Sequence, residues 1–215
     1  MKTILLLAAI FIGSIRTLSA QCIEAPAYTP LTGTEPLVTA GETLLPSQTK
    51  YFYGGPVTLN NIHLRGGKLI VSGQITLDNF GFETGELVVL PGGSVVVNNP
   101  TGLVLRGNCA IYNWGNFQCL GNIVLDYGTT SATRPNLIIN ASASANFRMP
   151  NQYFLINNPW SKFVNMGTAE FHGIITDPGA AAGSVCLGDT SVTTMRVLYN
   201  NAKNTYAVPS GSACL

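Results

Sequence analysis

The chain has 215 residues and a formal net charge of +1, with only 10% charged residues against 46% apolar ones. This length is enough for one domain with a sizeable core, and the composition is too apolar for a disordered chain. The 23 glycines and 12 prolines argue against long helices, and the balanced charge provides no basic field to attract nucleic acid.

Residues 1–20 have the three-part layout of a secretory signal peptide. A positively charged start is followed by the apolar run ILLLAAIFI and then by Leu18-Ser19-Ala20. The run is much shorter than the ~20 residues that a membrane span needs. We therefore predict cleavage near Ala20, no transmembrane span, and a mature protein that is secreted, at the cell surface or in the periplasm. A buried N-terminal helix and a lipoprotein acylated at Cys22 are the alternatives.

Residues 21–56 are rich in Pro, Thr and Gly and show little periodicity. This pattern predicts an irregular lead-in that caps the first unit of the fold. Within it, the aromatic cluster Tyr51-Phe52-Tyr53 is predicted to cover the open end of the core. A sugar-binding surface is the alternative interpretation of these aromatic residues.

A three-residue apolar unit recurs between residues 62 and 156, with middle residues 14 to 20 positions apart. Such self-similarity is typical of stacked units that cannot bury their apolar sides alone. The apolar residues recur at every second position, which favours strands over helices. The six triplets are Leu69-Ile70-Val71, Leu87-Val88-Val89, Leu103-Val104-Leu105, Ile123-Val124-Leu125, Leu137-Ile138-Ile139 and Phe154-Leu155-Ile156.

Each unit is predicted to be two short strands joined at a Gly or Gly-Asn corner, because Gly and Asn tolerate positive φ. The predicted fold is all-β: one parallel β-helix, or β-solenoid, of about six coils over residues 57–175, with a C-terminal cap over residues 176–215. A β-sandwich is the alternative, although it has no reason to repeat the triplet. Asn98, Asn99 and Asn113 are candidates for side-chain ladders along the axis, or are simply turn residues.

Three units, GKLIVSGQITLDN, GELVVLPGGSVVVNN and GLVLRGNCAIYN, carry a family resemblance. They resemble the parallel β-helix repeats of secreted bacterial surface and adhesin-like proteins, and the resemblance covers about half of the chain. It implies a β-solenoid fold and a location at the cell exterior. It also implies an adhesive or structural role, because such proteins are commonly of that kind.

Four cysteines are candidates for disulfide bonds in an exported chain. Cys109 and Cys119 flank a turn-rich segment, and a bond between them would close a local loop. Cys186 and Cys214 would tie down the C-terminal tail, which leaves Cys22 as the odd cysteine. For Cys109 a buried free thiol is a serious alternative, because it lies at a core position of the pattern.

The middle residues of the triplets are predicted to face outward, because strand side chains alternate between the two faces of a sheet. In a stack they would form one apolar stripe on one outer sheet. Such a stripe is rarely left bare, so we expect either a flanking segment of the chain or a partner to cover it. The predicted stripe is Ile70, Val88, Val104, Val124, Ile138 and Leu155.

No catalytic pair, metal-ligand spacing or cofactor motif stands out in the chain, so no catalytic residue, metal or cofactor is predicted. We expect a secreted, non-enzymatic structural or adhesive β-solenoid, with self-association or a surface glycan as the candidate partner. A carbohydrate-binding or carbohydrate-active β-helix is the alternative. A groove lined by acids and aromatic residues on one outer sheet would favour that alternative, and a smooth apolar or Asn-laddered face would favour the structural or adhesive role.

Overall fold

The structure is a computed structural model that describes residues 24–126, 133, 135–158, 160–176, 185–187, 191–200 and 213–214. These residues contain β-strands and no helix. In chain order the strands are β1 (Thr43–Leu44), β2 (Thr49–Phe52), β3 (Val57–Asn60), β4 (His63–Val71), β5 (Gln74–Asp78), β6 (Gly81–Val89), β7 (Ser94–Asn98), β8 (Leu103–Leu105), β9 (Cys109–Asn113), β10 (Asn116–Cys119), β11 (Ile123–Leu125), β12 (Leu137–Asn140), β13 (Asn146–Ile156), β14 (Lys162–Asn165), β15 (Thr168–Thr176), β16 (Val185–Leu187), β17 (Val192–Asn200) and β18 (Ala213–Cys214).

The strands stack as a parallel β-solenoid of about six turns, which confirms the predicted fold. Strands pair with strands one turn away: β3 pairs with β5, and β10 pairs with β13. Among the described strands, the pairing of β18 with β16 is antiparallel and the others are parallel. A β-sandwich is built from antiparallel sheets, so the alternative fold is excluded.

A turn of the solenoid has up to three faces, not the two strands predicted for each unit. Sheet A contains β1, β2, β4, β6, β9, β12, β14, β16 and β18, and sheet B contains β3, β5, β7, β10, β13, β15 and β17. The third face is formed by β8, β11 and the second halves of β13, β15 and β17. A register shift between Met149 and Tyr153 marks the place where β13 passes from sheet B to the third face.

The interior changes character along the axis. In the early turns it is mainly aliphatic, with side chains such as Leu69, Leu77 and Leu87 fully buried beside the pair Phe80 and Phe82. In the later turns it is aromatic: the ring of Phe147 stacks on that of Phe117 with centroids 4.9 Å apart and lies 5.4 Å from that of Phe163. Burial of these side chains is the main source of stability, because no turn can bury its apolar side without its neighbours.

The corner between sheets A and B needs glycine because successive turns approach closely there. A Cβ atom added to Gly115 would lie 2.3 Å from the carbonyl oxygen of Gly93 in the turn before it. The same atom on Gly93 would lie 2.6 Å from the carbonyl oxygen of Val71. These corner glycines therefore allow the turns to stack without steric overlap.

A ladder of buried asparagines follows the same corner in the later turns. The Asn113 amide donates to Oδ1 of Asn140 at 2.7 Å, and the Asn140 amide donates to Oδ1 of Asn165 at 2.7 Å. The Asn165 amide then donates to the hydroxyl of Thr193 at 2.9 Å. The prediction of an axial ladder is thereby confirmed for Asn113, while Asn98 instead donates to Asp78 at 2.8 Å.

The segment before the predicted repeats is less irregular than expected. Strands β1 and β2 already pair in parallel with β4. Before them, the amide of Val38 donates to the carbonyl of Tyr51 at 2.9 Å, and the amide of Tyr51 donates to the carbonyl of Pro36 at 3.0 Å. Beyond residue 176, β16 and β17 continue the two sheets, and β18 is the last strand of sheet A.

Candidate functional site

The predicted stripe of six outward residues is wrong as a single feature, because the residues lie on two faces. Ile70 and Val88 are register partners on sheet A, whereas Val104, Val124 and Leu155 are register partners on the third face. A triplet has the same pattern on either face, because inward and outward residues alternate on both. The prediction from the triplet spacing therefore combined residues of two different faces into one stripe.

Ile138, the remaining member of the predicted stripe, points into the core and is fully buried. Its neighbour Ile139 lies on the outer side of sheet A, in register with Tyr112 and Val164. All three residues of the triplet from Leu137 to Ile139 are apolar, as in the other five triplets, so the triplet alone does not fix which of them faces inward. The middle residue faces inward here and outward in the other five triplets.

Two outward apolar columns replace the predicted stripe. The sheet A column is Tyr51, Ile70, Val88, Tyr112, Ile139 and Val164. The third-face column is Val104, Val124, Leu155 and Ile175. Their extreme members differ in exposure: Val164 at 0% and Ile139 at 1% lie on sheet A, and Val104 at 36% lies on the third face, whereas most other members of both columns are half-buried.

Residues 24–36, which we call the strap, run along the outer side of sheet A. Ala25 packs against the buried pair Ile139 and Val164. Further along the strap, the ring of Tyr28 meets the ring of Trp114 edge to face at 5.2 Å. Near its end, the hydroxyl of Tyr53 donates to the carbonyl of Gly33 at 2.9 Å. A segment of the lead-in therefore covers part of the sheet A column.

The cover is incomplete and leaves a groove on sheet A. A cavity of about 370 Å³ lies between the strap and the sheet. A second cavity of about 590 Å³ lies beside it, and both are lined by Thr49, Lys68, Glu86 and Tyr112. These volumes are in the range of small-molecule sites in proteins.

Aromatic side chains from distant parts of the sequence line the groove at the strap. Trp114 comes from the corner after β9, Tyr112 from β9 itself, and Tyr28 from the strap. The rings of Tyr112 and Trp114 are 6.3 Å apart at an interplanar angle of 40°. Tyr28 is 41% exposed, so this aromatic group presents ring surface to solvent as well as to its neighbours.

The charged side chains of the groove form ion pairs or hydrogen bonds with neighbouring groups. Lys68 and Glu86 form an ion pair one turn apart, in register on sheet A. Burial first, and the negative charge of Glu86 second, raise the pKa of Tyr112, so its hydroxyl remains protonated at neutral pH. Glu35 in the strap has its pKa lowered to about 2, mainly by a hydrogen bond from the Thr32 amide.

This arrangement fits binding better than acid catalysis. A glycosidase needs a carboxylic acid with a raised pKa beside a second carboxylate. Glu35 is held ionised by the Thr32 and Gly33 amides, and Glu86 is paired with Lys68. Aromatic faces together with a lysine, a glutamate and a protonated tyrosine instead give apolar contact and directed hydrogen bonds to a polar ligand.

The predicted disulfide between Cys109 and Cys119 is wrong. Both residues are buried free thiols, which is the alternative given above for Cys109. Cys109 lies in sheet A and Cys119 in sheet B, and the corner between them turns both side chains into the core at separate positions. Burial raises the pKa of each thiol to about 11.

The other cysteines lie partly or wholly outside the described residues. Cys186 and Cys214 are register partners in the antiparallel pair β16 and β18. Their side chains are not among those described, so the bond between them stays a prediction. Cys22 and residues 1–20, with the expected signal peptide, also lie outside.

Within the described part of the chain, no three His, Cys, Asp or Glu residues are grouped so that they could hold a metal ion. In the same residues no helix is both long and apolar enough to cross a membrane.

Sequence reasoning missed the residues that build the groove. Tyr28 lies in a proline-rich stretch with no periodicity, and Trp114 lies at a corner whose sequence indicates only turns. The two residues come into contact because the strap folds back over sheet A. This contact joins residues that are distant in sequence, so no local sequence pattern predicts it. The presence of isolated aromatic residues outside the alternating core pattern was the one available signal.

Comparison with known proteins finds no match for the chain among family models, curated proteins or solved structures. The function is therefore inferred from the groove and from the sequence pattern.

Proposed function

We propose that the protein is a secreted, non-enzymatic β-solenoid of the cell exterior that acts in adhesion, and that the sheet A groove binds a glycan. The aromatic group of Tyr28, Tyr112 and Trp114 beside the Lys68–Glu86 ion pair is the observation that carries the proposal. Sugars offer apolar C–H faces and hydroxyl groups, and this lining complements both.

Export is part of the proposal and is supported by the layout of residues 1–20. The resemblance of the repeats to those of bacterial surface and adhesin-like proteins supports the same setting. The near-neutral charge favours a neutral glycan over a strongly anionic one, because the one cation in the shared lining, Lys68, is already paired.

The alternative role as a carbohydrate-active enzyme is less well supported. Glu35 is ionised and hydrogen-bonded in the strap, so it is a poor general acid. The proposal is therefore of binding without cleavage, and shortening of a bound glycan by the protein would contradict it.

The test is a glycan array with the mature chain, followed by titration of the best ligand. The chain has two tryptophans, so a Trp160→Phe variant leaves Trp114 as the fluorescence reporter of the groove. We expect ligand to change the Trp114 emission. Because Tyr28 is exposed, Tyr28→Ala should keep the fold and weaken binding about tenfold, or about 1.4 kcal/mol.

The matched control is Trp160→Ala, since Trp160 is 37% exposed and does not line the groove. Its affinity should equal that of the wild type. The proposal fails if no glycan binds, or if Trp160→Ala weakens binding as much as Tyr28→Ala does.

A further inference from the structure

The cavity of about 590 Å³ on sheet A, which we call the valley, extends across several turns of the solenoid. A column of outward register partners lines it, with one residue from each of five successive turns. Since neighbouring strands lie about 4.8 Å apart, this column extends over ~19 Å. The valley is therefore elongated along the solenoid axis. The members of the column are Thr49, Lys68, Glu86, Ala110 and Leu137.

Glycines form much of the side of the valley that lies away from the strap. Gly66 and Gly85 have φ angles of 108° and 117°, in the left-handed region that favours glycine. A Cβ atom added to Gly66 would lie 2.6 Å from Cγ of Pro46, and one added to Gly85 would overlap the carbonyl oxygen of Gly67. Because these positions admit no side chain, the outer surface of sheet A is recessed here.

Hydrogen-bonding groups recur along the valley, and its charges cancel. Lys68 and Glu86, which are the charged residues among the described lining residues, form an ion pair with each other. The hydroxyl of Thr84 donates to the carbonyl of Asn108 at 3.2 Å, and Thr49 provides a second hydroxyl. A ligand with many hydroxyl groups and no net charge complements this lining.

The strap shows that an extended chain can lie along the axis on this side of the solenoid. Its contacts pass from turn to turn: Tyr28 meets Trp114 after β9, and Gly33 accepts a hydrogen bond from Tyr53 after β2. The valley runs beside this path, because the cavity under the strap shares the first three residues of the column with it. A ligand held at the aromatic group can therefore continue into the valley.

We propose that the valley binds a linear, neutral glycan with equatorial β-1,4 linkages, which lies along the solenoid axis beside the strap. This inference rests on the proposed glycan-binding function and adds the shape of the ligand. Equatorial β-1,4 linkages make a straight, ribbon-like chain, so successive rings follow the straight column of side chains. The curved chain that α-1,4 linkages produce does not. The rings offer apolar faces to Leu137 and hydroxyl groups to the polar part of the valley.

The first test is calorimetric titration of the mature chain with cello-oligosaccharides and chito-oligosaccharides, which are neutral β-1,4-linked chains. In at least one series we expect the affinity to rise about tenfold or more from the disaccharide to the pentasaccharide and then to level off. The reason is that longer chains contact several turns, whereas the disaccharide contacts the aromatic group alone. Maltohexaose, the α-1,4-linked control, should bind about tenfold more weakly than the hexasaccharide of that series.

The variant Thr84→Arg tests whether the longer ligands occupy the valley. Thr84 is half-buried and lines the valley but not the cavity under the strap, so a longer side chain there narrows the valley alone. We expect hexasaccharide binding to weaken about tenfold and disaccharide binding to stay unchanged. The matched control is Thr76→Arg, because Thr76 is a half-buried threonine on the outer side of sheet B. It should bind both ligands like the wild type, whereas Tyr28→Ala should weaken both.

Nuclear magnetic resonance locates the ligand without any substitution. The amide signals of Gly66, Gly67 and Gly85 report on the valley, and the indole signal of Trp114 reports on the aromatic group. We expect the hexasaccharide to shift all of these signals and the disaccharide to shift only that of Trp114. Circular dichroism of each variant distinguishes loss of binding from loss of the fold.

Absence of binding by both series, or equal affinity for the disaccharide and the hexasaccharide, would overturn this inference. The proposal for the groove would still stand if another glycan on the array binds and Tyr28→Ala weakens it. Equal binding of maltohexaose, or hexasaccharide binding that leaves the three glycine signals unchanged, would also overturn the inference. If no glycan on the array binds, both proposals fail. A synthetic peptide of residues 24–36 is the last probe: if it shifts the glycine signals and no oligosaccharide does, the valley is a polypeptide site and the inference is wrong.

Discussion

The two outward apolar columns of the solenoid have similar compositions and different surroundings. On sheet A, Ile139 and Val164 are covered by the strap and by neighbouring side chains of the sheet, so both are almost fully buried. On the third face, Val104 is 36% exposed, and Val124, Leu155 and Ile175 are half-buried. The alternation along each folded strand therefore decides which residues point outward, but a flanking segment decides which of the outward residues are buried in a second core.

The strongest test of this contrast is Val164→Lys against Val104→Lys. Lysine at position 164 places a charge in a fully buried apolar site, so we expect a loss of about 3 kcal/mol or more in the free energy of unfolding. Lysine at position 104 remains in water and should change it by less than about 0.5 kcal/mol. Urea denaturation of both variants gives the comparison, and equal losses would contradict it.

The buried thiols report opening of the solenoid core, which we expect to follow any loss of stability. Burial raises the pKa of Cys109 from 9.0 to about 11, so its thiolate fraction at pH 8 falls about 100-fold. We expect alkylation of Cys109 and Cys119 in the folded chain to be slower than that of a free thiol by at least this factor, because both thiols are also 0% exposed. Val164→Lys should accelerate labelling and Val104→Lys should not. Rapid labelling of the folded wild type would show that the thiols are accessible.

Asparagines that are buried in a stack should contribute more to the free energy of unfolding than exposed ones, as we expect for the apolar columns. Asn140 is fully buried and bonds to Asn113, Asn165 and the carbonyl of Thr168. Asn140→Ala removes these partners and should lower the free energy of unfolding by about 2 kcal/mol. Asn116→Ala is the control, because Asn116 is exposed and its side chain accepts a bond from Asn146 at 3.0 Å. Its loss should be below about 0.5 kcal/mol by the same measurement.

The smallest expected effect concerns the pH dependence of the strap. The folded pKa of Glu35 is about 2, below its ordinary value of 4.5, so its contribution is complete above pH 4.5 and is lost as pH falls toward 2. In a Trp160→Phe background, Trp114 emission should titrate in this window. Glu35→Gln should remove that step, and an unchanged titration would show that Glu35 does not hold the strap.

The sequence was sufficient for the solenoid because alternation and self-similarity are local patterns. Apart from Leu137-Ile138-Ile139, the outer residues of each triplet point inward as expected, as at Leu103 and Leu105. The number of faces could not be predicted, because strands on neighbouring faces have the same pattern. Nor could Ile138 be placed, since three consecutive apolar residues leave the register open.

The groove could not be predicted for a different physical reason. Its aromatic lining joins Tyr28 to Trp114 across the surface of a sheet, and the strap that carries Tyr28 has no periodicity. The disulfide prediction for Cys109 and Cys119 was wrong because nearness in sequence does not place two side chains together when a corner separates their strands.

Nuclear Overhauser effects in the mature chain would show whether the strap lies across sheet A. We expect effects between the rings of Tyr28 and Trp114, whose centroids are 5.2 Å apart, and between the methyl group of Ala25 and those of Ile139 or Val164. If residues 24–36 give no effect to sheet A while sheet A gives its own inter-strand effects, the strap does not cover the column.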